Sequence, residues 1–158
     1  MQLIKPESTN QTTEHLVSIF LAGSIEMGKA EDWQVRLEKE LADFKVTVFN
    51  PRRDDWDSSW EQKESNDQFN YQVNWELNRL TESSIVFLYL SPGTQSPISL
   101  LELGAFAGRS NMIVWCPTGF WRKGNVDIFC TRAGIPVYEN LEDSIGALKT
   151  KIREYVRL

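Results

Sequence analysis

Val17-Ser-Ile-Phe-Leu-Ala22, ended by Gly23, is a short and almost wholly apolar run, the pattern of a strand covered on both faces. The same pattern returns at Val46-Thr-Val-Phe49, closed by Asn50-Pro51, and at Ile85-Val-Phe-Leu-Tyr-Leu90, stopped by Ser91-Pro92-Gly93. Between these runs the spacing is helical: Trp33, Leu37, Leu41 and Phe44 mark one stripe in Glu31–Phe44, and Val73, Leu77 and Leu80 another in Phe69–Glu82. Downstream, Ile98–Gly108 suits a helix, Met112–Cys116 and Ile135–Tyr138 suit strands, and Leu141–Val156 suits a closing helix. Strands alternating with helices predict an α/β fold, a mainly parallel sheet between two helical layers. Five strands of this kind predict a flavodoxin-like (Rossmann-like) three-layer sandwich of order 2-1-3-4-5. Ligands then sit outside the carboxyl ends of the strands, at the switch point between the first and third. The loops to watch are Gly23–Lys29, Asn50–Asn66 and Ser91–Pro97.

The 158 residues make one domain, with no internal repeat and no linker, and residues 1–15 read as a loosely ordered segment before the first strand. A net charge of −5 argues against a surface for nucleic acid polymers. No apolar run approaches the ~18–20 residues of a membrane span, and Met1–Asn10 lacks the apolar core of a secretory signal. Cys116 and Cys130 form no C-x-x-C pair, and with His15 as the sole histidine they make neither a zinc site nor a convincing Ser-His-Asp triad. A cytoplasmic protein with no metal and no organic cofactor is expected.

Three features carry chemistry. Gly23-Ser-Ile-Glu-Met-Gly28-Lys29-Ala30 nearly spells a phosphate-binding loop, but Ala30 replaces the hydroxyl that ligates magnesium and Glu26 places a carboxylate among the phosphates. A tight strand-to-helix turn accounts for the glycines better. Asn50-Pro-Arg52-Arg53-Asp54-Asp55-Trp56-Asp57-Ser-Ser-Trp60 offers guanidinium forks and indole faces to a flat ligand with a polar end, or equally an ion-paired surface loop. Glu102 lies in the apolar helix Ser99-Leu-Leu-Glu-Leu-Gly-Ala-Phe106, either as a favourable charge near a helix start or as a nucleophile at the crevice. Leu101, Leu103 and Phe106 are expected to keep water from it, and Glu76, in Asn74-Trp-Glu-Leu-Asn78, could face the same crevice.

Taken together, Phe20-Leu-Ala-Gly-Ser24, Asn50-Pro-Arg-Arg-Asp-Asp-Trp56, Gln72-Val-Asn-Trp-Glu76 and Ser96-Pro-Ile-Ser-Leu-Leu-Glu-Leu-Gly104 resemble the nucleoside 2-deoxyribosyltransferase-like family, from about Val17 to Cys130. The resemblance implies a double displacement at C1′ of a 2′-deoxynucleoside. In it Glu102 is the nucleophile, holding the sugar as a covalent glycosyl-enzyme until another base takes it. Glu76 falls where the family carries an acidic residue that contacts the base and helps protonate it. Gly23, Ser24, Arg52, Arg53, Trp56 and Ser96 are implied to bind substrate. Asn125 loosely matches the asparagine that a neighbouring subunit lends to the sugar's 5′ side, which implies a homo-oligomer with shared sites.

One departure bears on substrate. The transferases of the family place Asp six residues before the nucleophile, on the 5′-hydroxyl, where this chain has Ser96. Related N-glycosidases of nucleoside 5′-monophosphates use serine there, since a carboxylate repels phosphate. Hydrolysis of a monophosphate is therefore the alternative activity. A nucleotide-binding module without catalysis is a third reading.

Overall fold

The computed structural model describes residues 1–25, 32–109 and 111–157. Its strands are β1 (Gln2–Ile4), β2 (Val17–Gly23), β3 (Val46–Phe49), β4 (Ile85–Tyr89), β5 (Met112–Trp115) and β6 (Val137–Tyr138). The helices are α1 (Trp33–Leu41), α2 (Asp67–Glu82), α3 (Pro97–Phe106), α4 (Lys123–Ala133) and α5 (Leu141–Val156). All pairings are parallel, in the order β1-β3-β2-β4-β5-β6. The last five strands of that list have the connectivity expected from the sequence. The sixth is an addition.

That addition is β1. The expectation of a loosely ordered segment 1–15 has to be corrected for its first residues. Gln2–Ile4 pairs with Thr47–Phe49 and extends the sheet by an edge strand, and Ile4 is only 1% exposed. Three residues are too few to show a period, so the strand has no signature of its own. What holds it is tertiary: Gln2 accepts from the Thr47 hydroxyl at 2.7 Å, and Gln11 accepts from the Trp75 indole at 2.8 Å.

The sheet separates two cores by simple alternation along its strands. Phe20, Phe49, Val86, Leu88, Met112 and Val114 face α2, α3 and α4, meeting Trp75, Leu80, Leu103 and Val126 there. Ile19, Leu21, Val48, Phe87 and Ile113 face α1 and α5, meeting Trp33, Leu37, Leu148 and Ile152. Helix ends follow local chemistry. Asn66 and Asn140 accept from the N–H groups of Phe69 and Asp143 at the starts of α2 and α5. Gly134, at φ 69°, ends α4.

The two central strands set the site's position. β2 and β4 run in register until Gly23 lies beside Tyr89, and the Ser24 N–H then donates to the Tyr89 carbonyl at 2.9 Å. Gly23 has φ +136°, and a Cβ on it would run into the Tyr89 backbone, lying 2.7 Å from its nitrogen and colliding with its carbonyl. No other residue fits. Gly23→Ala should therefore cost about 2–4 kcal/mol, from a strained φ and a backbone clash together. That corresponds to a thermal midpoint lowered by roughly 5–15 °C. An unchanged midpoint in a scanning calorimeter would show that the two strands do not approach this closely.

Candidate active site

Both candidate carboxylates lie in the layer over the β2–β4 face. Glu102 is on α3, one turn after Ser99 and beside Leu103, on the side that packs against the sheet, and is 8% exposed. It is the sixth residue of the helix, beyond the first turn in which a helix N-terminus favours negative charge. Among the described residues no side chain donates a hydrogen bond to it. Burial first, and the field of Glu76 second, push its carboxyl up to about 8. The helix-start explanation of this glutamate predicts the opposite direction.

Glu76 comes from the middle of α2. Burial pushes its carboxyl up to about 7, partly offset by the side-chain N–H of Gln72, which donates to Glu76 Oε1 at 2.6 Å. Two carboxyls in mutual electrostatic contact, both poorly solvated, resist ionising together. Near neutral pH the pair therefore retains proton, with Glu102 the tighter holder. Leu101 does not shield it as expected: it is 67% exposed, turned away from the sheet, and Leu103 and the half-buried Phe106 remain on the inner side. The helix is apolar almost all round, so its outward residues give no sign in the sequence of which side they take.

At the carboxyl ends of β2 and β4 three hydroxyls close a buried ring. Ser24 Oγ lies 2.5 Å from Ser96 Oγ and 3.1 Å from Thr94 Oγ1, and the last two are 2.8 Å apart. The Ser91 N–H donates to Ser24 Oγ at 2.9 Å. Ser96 has φ 48°, left-handed for a non-glycine residue, and precedes Pro97 at the first turn of α3. The hydroxyl ring holds that conformation and so aims the start of the helix bearing Glu102. Thr94 was given no role by sequence reasoning. Its only signal is its place between a strand end and a helix start.

The loop after β3 is divided in its loyalties. Arg53 makes a bidentate pair with Asp55, at 2.7 and 2.8 Å, and lies over the Trp60 ring at 5.0 Å. Trp56 meets Trp60 edge to face at 5.1 Å. Arg52 instead turns toward α1, 3.7 Å from Asp32 and 3.5 Å from Gln34. Asp54 belongs to the N-terminal segment, paired with Lys5 at 2.8 Å. Asn125 is exposed on α4, one turn before Ile128 and Phe129, and shares no hydrogen bond with the other candidates among the described residues. Gly28, Lys29 and Ala30, the end of the near-match to a phosphate loop, lie outside the described residues. Two open grooves elsewhere, one beside Tyr138 and Lys151 and one beside Lys123 and Glu139, do not reach the carboxylates.

The raised carboxyls have a consequence for stability. Their folded values of about 7 and 8 lie above the ordinary 4.5, so between those limits the folded chain binds more protons than the unfolded one. The stabilisation is complete below about 4.5 and is lost as pH rises through about 8. The carboxylates that are lowered by partners, such as Asp55 and Glu139, act only at more acidic pH. Thermal midpoints should therefore fall between pH 5 and 9, and Glu102→Gln should fall less steeply and exceed the wild type at pH 9. Parallel slopes for the two proteins would mean that Glu102 is not buried in this way.

Among the described residues no helix is long and apolar enough to cross a membrane. A search of curated proteins finds no match. The family model described as nucleoside 2-deoxyribosyltransferase like matches residues 16–120, which include both carboxylates, the hydroxyl ring and the arginine–tryptophan loop but not Asn125. With about two thirds of its length so matched, on a parallel α/β sheet, the chain belongs to the nucleoside 2-deoxyribosyltransferase-like family.

Proposed function

We propose that the protein cleaves the N-glycosidic bond of a 2′-deoxynucleoside through a deoxyribosyl-Glu102 intermediate and passes the sugar to a second base. The observation that supports this reading is the pair of poorly solvated carboxyls, Glu102 buried and Glu76 half-buried, both raised, with the field of Glu76 acting on Glu102, within the family-matched residues. Cleavage at C1′ passes through an oxocarbenium-like state that needs a carboxylate on the sugar and a proton for the departing base. A pair that holds one proton supplies both. The shared proton moves from Glu102 to Glu76 and on to the base nitrogen as the C1′–N bond breaks. Its electron pair goes to the base, and a Glu102 oxygen bonds to C1′. The poorly solvated surroundings of Glu102 strengthen its attraction for the cationic sugar.

Ser24, Thr94 and Ser96 in this reading form the 5′ end of the pocket, with Gly23 admitting the backbone close to it. Arg52, Arg53 and Trp56 form its outer wall. Ser96 in place of a carboxylate favours the second reading, hydrolysis of a nucleoside 5′-monophosphate, because hydroxyls and a helix start accept an anion that Asp would repel. Incubation with nucleosides and monophosphates, with and without free bases, separates the two: new nucleosides mean transfer, and free base alone means hydrolysis. Glu102→Ala should lower turnover by ~10⁴-fold or more, the scale of removing a covalent catalytic residue. A 2-fluoro-2-deoxy nucleoside should leave a sugar-sized mass on the peptide containing Glu102. Near-normal turnover by the folded variant would remove Glu102 as the nucleophile, and no turnover of any substrate by the wild type would leave a binding module as the better account.

The same reading makes the protein a homo-oligomer whose site is completed across a subunit boundary. Ile98 and Leu101 on the outer side of α3 are 60% and 67% exposed, and Ile128 on α4 is 68% exposed, with Trp121 and Phe129 also outward. Asn125 lies on that same helix. Light scattering should give at least twice the 18.2 kDa chain mass, and Leu101→Asp should reduce it to the monomer together with the activity. An active monomer of the wild type would remove Asn125 from the site.

A further inference from the structure

The amide of Gln72 is placed where the reaction's proton is handled, although nothing in the motif assigns it a task. It is 5% exposed, and one nitrogen donates both to the Pro51 carbonyl at 3.0 Å and to Glu76 Oε1 at 2.6 Å. The Gln72 Oε1 is buried with no partner among the described residues. Rotating the amide would not repair that, because the Pro51 carbonyl can only accept and would then face an oxygen. The fold thus leaves one buried acceptor unsatisfied and keeps the donor between the loop and the carboxyl. Gln72 and Glu76 are four residues apart on α2, so the contact is built into one helix face.

We propose that Gln72 is the positioning residue of the carboxyl pair: it holds Glu76 Oε1 against the Asn50–Pro51 turn and so reserves Oε2 for the proton that passes to the leaving base. This rests on the glycosidic reading of the site. In the step, Oε2–H of Glu76 gives its proton to the base nitrogen, which receives the electron pair of the breaking C1′–N bond while Glu102 bonds to C1′. The Glu76 carboxylate left behind is the form that the Gln72 N–H stabilises, which helps the proton depart. The groups acting on Glu76 are Gln72 from its own helix, the carboxyl of Glu102 from α3, and the Pro51 turn through Gln72. A merely structural amide would tie the loop to α2 and leave the titration of Glu76 alone.

Gln72→Met keeps the length of the side chain and removes the donor. In carboxyl-carbon NMR of folded protein, Glu76 should titrate about one unit higher in this variant than in the wild type, a tenfold change in proton affinity. The window of the pH–rate profile should move upward with it, because the ionised form of Glu76 has lost its donor. A Glu76 titration that is unchanged in folded Gln72→Met overturns the proposal. Should the variant not fold, the wild type decides. The Gln72 side-chain amide signals should follow the titration of Glu76, and in Glu76→Gln that response should vanish; amide signals indifferent to pH also overturn it. A shifted titration in a protein that cleaves no nucleoside or nucleotide supports the clamp and refutes the glycosidic reading instead.

Discussion

The carbonyl of Tyr89 receives the N–H of Ser24 because β2 and β4 run side by side up to Gly23, where a side chain would collide. Much else depends on that approach. It brings Ser24 within reach of Thr94 and Ser96, and their hydroxyls hold Ser96 in a left-handed conformation directly before α3. The direction of α3 in turn decides that Ser99, Glu102 and Leu103 point to the sheet while Ile98 and Leu101 point away. A glycine at one strand end thus governs the burial of a glutamate on a helix some eighty residues later.

Electrostatics at the site follow from that burial. An isolated carboxylate taken out of water without donors either finds a cation or keeps its proton. Among the described residues neither Glu76 nor Glu102 is paired with a cation, and Glu76 has one amide donor. Nearby guanidinium groups are occupied elsewhere: Arg79, three residues after Glu76, with Glu82 and the Gln11 carbonyl, Arg53 with Asp55, and Arg52 near Asp32. The pair is therefore costly to the fold at alkaline pH. Such a cost is a pointer to a functional site, and here both carboxyls fall within the family-matched residues.

The edges of the molecule differ in how they are finished. β1 covers the side of β3, and the segment behind it binds α2 through Gln11, Trp75 and Arg79, whose guanidinium also lies 4.6 Å from the Phe49 ring centroid. Lys5 reaches over to Asp54 and Glu7 to the Asp54 N–H, so the first residues of the chain brace the arginine–tryptophan loop. Helices α3 and α4 expose apolar residues that no other element covers among the described residues. The β1 flank is closed by the chain itself.

The central strands were legible in the sequence because a parallel strand covered on both faces must be apolar at every position, as Ile85–Tyr89 is. Helices α1, α2 and α5 were legible through stripes such as Leu37 and Leu41, and Glu102 was legible as the one charge in an apolar helix. α4 was not read: Val126, Ile128, Phe129 and Cys130 make no clean stripe, since two of them face outward. β1 was not read because its signal is a pairing partner more than forty residues away. The residue types, their order and their periods came from the sequence alone, because a local pattern needs only local geometry. Which side of α3 is buried, that Glu76 and Glu102 share a field, that Gln72 reaches Pro51 and that Arg53 turns to Asp55 were decided by tertiary structure. Burial and electrostatic coupling are properties of distances between elements, and those distances exist only once the sheet is formed.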